Sequence, residues 1–230
     1  IQEVAGKVAQ GERPHRAGDY SFNNIGISSF FMLSSTMPDA LRDEKGYYPV
    51  GGCGANIAWH TENDTIEIAD KDILFRDIKV YLLSVLRVAN ATVLPFDWRL
   101  TAKEFLGTIA TYQTAAGDRF DLSPSRKAAE ALMAALEAFH AGVAAGTIPA
   151  ARANGVIADL ARILVPINFT RVPRFRHDPA LTIPPLPTIH AATELDRHRE
   201  TLGFAQNHLV RGQNRLVSAL RAATRMVTAA

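Results

Sequence analysis

The sequence predicts an α/β region followed by an all-helical one, and three observations carry that prediction. Ile25 to Leu33, IGISSFFML, is a short apolar run of the kind that forms a strand covered on both faces in a parallel sheet. Residues 38 to 58, rich in Pro, Gly, Asp and Tyr and without periodicity, read as a long loop that leads to a helical pattern starting after Asp70. Strand, loop and helix in that order belong to an α/β sheet. After Asn90 the composition turns Ala- and Leu-rich with helical periodicity. The expected fold is therefore the end of a mostly parallel sheet with flanking helices over residues 1–100, then an all-α domain over residues 101–230.

The elements follow from local signals. Ile1, Val4, Ala5 and Val8 repeat at helical spacing until Gly11 and Pro14 break the pattern, so residues 1 to 10 read as the end of an amphipathic helix. Asp70 is placed to cap a helix over 71 to 90, with Ile73, Leu74, Ile78, Tyr81, Leu82, Val85 and Leu86 on one apolar face. Ser123-Pro124 offers a cap with proline in the first turn, and Leu132, Leu136, Phe139 and Val143 continue that stripe to Gly146. A further helix fits 149 to 164. Six prolines from Pro166 to Pro187 argue for an extended segment, and 189 to 228 return to helix with interruptions expected at Gly203 and Gly212.

At 230 residues, 47% of them hydrophobic, the chain is long enough to bury a real core. The charges nearly cancel, 25 Lys+Arg against 23 Asp+Glu, and the basic residues are scattered without interleaved aromatics, so no nucleic-acid role is expected. No apolar run is long enough to span a bilayer, and the start, IQEVAGKVAQ, lacks both an initiating Met and a signal-peptide apolar core. It reads as the continuation of a longer protein. The single Cys53 excludes an internal disulfide and any multi-cysteine zinc site.

Chemistry concentrates around AWHTENDT, residues 58 to 65. His60 follows an apolar aromatic, Trp59, and precedes Thr61, Asp64 and Thr65, whose oxygens can fix nearby backbone amides. An imidazole donates well to a metal when its neighbours orient the ring. From the residues alone, metal ligand and turn cap are equally good readings. His15, His140, His190, His198 and His208 show no paired ligand spacing and read as surface or interface residues.

Four pieces of the chain, in order, carry a resemblance. They are Gly18-Asp19-Tyr20-Ser21-Phe22, Gly26-Ile27-Ser28-Ser29, His60-Thr61-Glu62-Asn63-Asp64-Thr65, and the helix ending Val88-Ala89-Asn90. Together they resemble the carboxyl-terminal end of the catalytic domain in the co-catalytic zinc peptidases, the family of bacterial aminopeptidases, glutamate carboxypeptidase and the inactive transferrin receptor. Leu94-Pro95-Phe96-Asp97 is similar to the glutamate carboxypeptidase and transferrin receptor branch, which carries a helical dimerisation domain.

The resemblance implies that His60 ligates one of two zinc ions, and that the complete protein hydrolyses peptide or aminoacyl substrates with a metal-activated water. It also implies a homodimer formed through residues 189 to 228, and a periplasmic or secreted home. The family's other ligands and its Glu general base find no counterpart here. The chain has no Glu-Glu pair, so by itself it is half an active site.

Trp59 stands where the carboxypeptidase branch has an oxyanion-binding tyrosine, which makes it a pocket or oxyanion neighbour. Asp19 is a carboxylate that supports a metal ligand from behind or a simple turn residue, with nothing to separate the two, and Ser21 reads as a cap rather than a nucleophile. Tyr47, Tyr48, Gly51 and Gly52 lie in the loop that should line the pocket. Arg171, Arg174, Phe175, Arg176 and His177 resemble the stretch that reaches a substrate carboxylate, although surface arginines in an interdomain or dimer contact read as well. The rival to the enzyme is a non-catalytic, transferrin-receptor-like homologue kept as a binding or dimerisation module.

Overall fold

A computed structural model describes residues 1–6, 8, 13, 20–27, 39–46, 61–176 and 183–230. They form eight α-helices joined by 3-10 turns, with no strand among them. The α/β expectation is therefore overturned. Ile25–Ile27, expected to open a strand, instead closes helix α2 (Tyr20–Asn23): Ile25 N–H and Ile27 N–H both return to Phe22 O, and Gly26 takes φ 92°. The buried Asn23 side chain donates to Ile27 O at 3.0 Å, taking up a carbonyl that a sheet partner would otherwise have to satisfy. The remainder of that run lies outside the described residues.

The chain divides into two compact units, residues 1–14 with 30–91 and residues 15–29 with 92–230. In the first, α1 (Gln2–Ala5) stops at Gly6, whose φ of 64° suits a residue without Cβ. The expected helix to residue 10 is cut short there. A six-residue helix, α3 (Asp39–Glu44), occupies part of the stretch expected to be loop. The long helix α4 (Lys71–Ala89) begins where the sequence placed it, with the Asp70 carboxylate accepting from Asp72 N at 2.9 Å and Ile73 N at 3.0 Å. Its apolar face is largely uncovered. Leu74, Ile78, Leu82 and Val85 are each more than half exposed, and Val80 is the one buried side chain among the described residues of this unit.

The second unit holds the core. Helix α5 (Trp98–Ala116) is capped by Asp97 and buries Ala102, Phe105, Ile109, Tyr112 and Ala116 at three- and four-residue spacing. Gln113 organises its exit: Nε2 donates to Gly117 O and Phe120 O, while Oε1 accepts from Leu122 N at 2.7 Å. Helix α6 (Ser123–Ala144) has proline in its first turn as expected, but Ser123 is not its cap. Asp121 accepts from Ser123 N at 2.8 Å and from Ser123 Oγ at 2.9 Å, so the acidic residue upstream holds the helix start.

Helix α7 (Ala150–Phe169) carries Pro166 inside its last turn, past the expected end at 164. Thr170 closes that turn with both N–H and Oγ directed to Pro166 O, at 3.0 and 2.7 Å. Asn154 of α7 ties down the segment before α5, accepting from Leu94 N and donating to Thr92 O. Trp98 Nε1 donates to Ile157 O at 2.9 Å on the same helix.

After a 3-10 stretch, His190–Thr201, the 27-residue α8 (Leu202–Thr228) runs unbroken through both Gly203 and Gly212. Gly212 is a contact point rather than a break. A Cβ built there would lie 2.0 Å from Thr188 O, so only glycine lets α8 come this close. Leu209 and Leu216, expected at a dimer contact, are 0% and 1% exposed in the unit's own core with Leu132, Leu136 and Leu220.

Candidate functional site

The residues that follow His60 form an ordered turn. Thr61 Oγ1 accepts from Asn63 N at 3.2 Å, Thr61 O from Asp64 N at 3.1 Å, and Asn63 O from Thr65 N at 2.9 Å. Thr65 then enters the 3-10 turn Ile66–Ile68 in extended conformation, and Asp70 starts α4. A hydrogen bond from the Thr65 side chain, with help from the Glu67 backbone, holds the Glu67 carboxyl below its ordinary range. All of Thr61 to Glu67 is exposed. The turn thus connects the position after His60 to a capped helix through a short, internally bonded path. His60, Trp59, Asp19, Tyr47 and Tyr48 lie outside the described residues.

Arg174 and Phe175 sit on a second turn, closed by Arg176 N to Pro173 O at 3.1 Å. Phe175 is 93% exposed with φ 71°, a left-handed conformation uncommon for a bulky side chain, and the Arg174 guanidinium lies 5.3 Å from its ring centre. Neither Arg174 nor Arg176 makes an ion pair among the described residues. Thr61, Asp64 and Thr65 fall in the first compact unit, Arg174 and Phe175 in the second.

The implied zinc does not fit on the described residues. No group of three or more His, Cys, Asp or Glu side chains able to hold a metal ion occurs among them. His60 would be one donor where a catalytic zinc takes about three from protein.

One cluster escaped the sequence reading. His140, expected at the surface or an interface, is 19% exposed on α6, and its Nε2 lies 3.3 Å from Asp97 Oδ1 without the alignment of a hydrogen bond. Arg99 grips the same carboxylate through Nε at 2.9 Å and Nη2 at 2.7 Å. Burial pushes the His140 pKa down against the opposing pull of Asp97, while the hydrogen bonds from Arg99 hold Asp97 low. His190, read in the same way, is also part-buried: it meets the Tyr112 ring edge-on at 5.5 Å, and burial lowers its pKa too. The available signal was the position of Phe139-His140 in the apolar stripe of α6.

Comparison with known proteins returns no matching family model, no matching curated protein and no matching solved structure. No described helix is long and apolar enough to cross a membrane.

Proposed function

We propose that this chain supplies the His60 ligand loop of a zinc-dependent exopeptidase of the glutamate carboxypeptidase and transferrin receptor type. It would act on peptide or aminoacyl substrates together with ligands from outside the chain. The observation that carries this reading is the turn from Thr61 to Thr65, in which the two threonines and Asn63 bond the backbone immediately after the histidine. A metal-donating imidazole needs neighbours that orient it, and a bonded turn next to it in the chain suits that role. The helical residues 92–230 serve assembly in this reading, and the homodimer belongs to surface side chains such as Phe204, 81% exposed on α8.

The rival reading, a non-catalytic homologue used for binding or dimerisation, is favoured by one observation: the described residues carry no ligand cluster of their own.

Native mass spectrometry with zinc analysis separates the two. The enzyme reading expects the chain to travel with a ligand-bearing partner polypeptide and about two zinc ions. His60→Ala in that complex should then weaken zinc binding and amide hydrolysis about 100-fold or more. Zinc content unchanged in His60→Ala would overturn the assignment, and a metal-free chain with no partner would favour the binding module.

A further inference from the structure

Helix α8 carries four arginines, Arg211, Arg215, Arg221 and Arg225, and no carboxylate anywhere along its length. Arg215 is occupied by the carbonyls of Arg171 and Val172. Arg221 and Arg225 stand one helical turn apart and line a groove of about 530 Å³ between α6 and α8, together with Lys127 on α6. No Asp or Glu lines that groove; Arg221 and Arg225 have no carboxylate or carbonyl partner among the described residues, while Lys127 lies within electrostatic reach of Asp121. The nearby Asp121 carboxylate is already committed to the Ser123 amide and hydroxyl at the helix start. Pro124, Ala128 and Ala131 give the groove an apolar floor.

We propose that this groove binds an acidic peptide segment bearing apolar side chains. Carboxylates would seat on Lys127, Arg221 and Arg225, and an apolar side chain on the Pro124 and Ala131 floor. Two arginines one turn apart, about 5–6 Å, match the separation of roughly 7 Å between alternate side chains of an extended peptide. The volume is in the range of small-ligand and short-peptide sites, about 300–1,000 Å³. Nucleic acid fits less well: no aromatic side chain lines the groove to stack a base, and three cations are few for a phosphate backbone. The proposal stands independently of His60.

The test is fluorescence anisotropy with a fluorescein-labelled octapeptide alternating glutamate with leucine or alanine, titrated with the 230-residue chain. Saturable one-to-one binding is expected, weakening by about tenfold or more when NaCl rises from about 50 to about 300 mM. Arg221→Glu with Arg225→Glu should cost about tenfold or more in affinity. All three cations are solvent-exposed, so circular dichroism should give both proteins the same melting temperature. If the double variant loses structure, Lys127→Glu is the substitute. Binding indifferent to these charges, equal binding of a glutamine-for-glutamate peptide, or displacement of the peptide by a lower concentration of single-stranded DNA would each overturn the proposal.

Discussion

Asp97 shows how much one side chain can do at a helix start. Its carboxylate caps α5 through Arg99 N, holds the Arg99 guanidinium, and faces His140 from α6. The charged groups around His140 are Asp97 and Arg99, with Glu137 one turn earlier on α6 and within electrostatic reach of Arg99. Burial lowers the folded pKa of His140, so the unfolded chain takes up the proton first as pH falls. The stabilisation from neutral His140 is therefore complete above about pH 6.5 and is lost as acid titrates the site below that value. For Asp97, whose folded pKa is also depressed, the contribution is present above its ordinary 3.8 and disappears only at lower pH. The melting temperature should fall between pH 7 and pH 5, with His190 acting in the same direction, and His140→Gln should flatten part of that fall. An unchanged slope would mean another group titrates there. Neither partner was legible as a pair, because nothing local in the sequence links a cap on α5 to a ring on α6.

At the scale of elements, the core assignments define what should break. Leu216→Ala removes a 1% exposed side chain from α8 and should cost about 2–5 kcal/mol in denaturant unfolding without changing oligomeric mass. Phe204→Glu should leave stability within about 0.5 kcal/mol and, if α8 forms the dimer, move the light-scattering mass toward monomer. Strong local signals were readable in the chain: α4 begins at its Asp70 cap, and the α6 stripe holds Leu132, Leu136 and Phe139 in the core. Ile25 to Ile27, the described start of the apolar run, misled because a short run reads alike for strand and turn; they close a turn rather than open a strand, and Asn23 with Gly26 favours the turn. Pro166 misled in the opposite direction. Near the end of α7 a proline costs less than in mid-helix, and Thr170 bonds back to its carbonyl. The stretch around His60 stood out only as a motif, since residue types and spacing do not reveal what would complete a metal site.

Over the whole molecule, burial is unevenly shared. Among the described residues, nearly every buried apolar side chain belongs to the unit formed by residues 15–29 and 92–230, while in the other unit α4 leaves Leu74, Ile78, Leu82 and Val85 mostly in solvent. Local stability follows buried apolar contact, so hydrogen exchange should be slowest in α5 to α8 and much faster in α4. Equal protection in α4 would show that something covers its apolar face in solution. With Gly212 seated on Thr188, α8 can neither slide nor roll without driving a side chain into that carbonyl. One missing methyl thereby pins α8 to the Thr188 carbonyl about 13 Å along the axis from Arg221, so the helix that presents the groove's arginines is anchored at a point a guest there never meets.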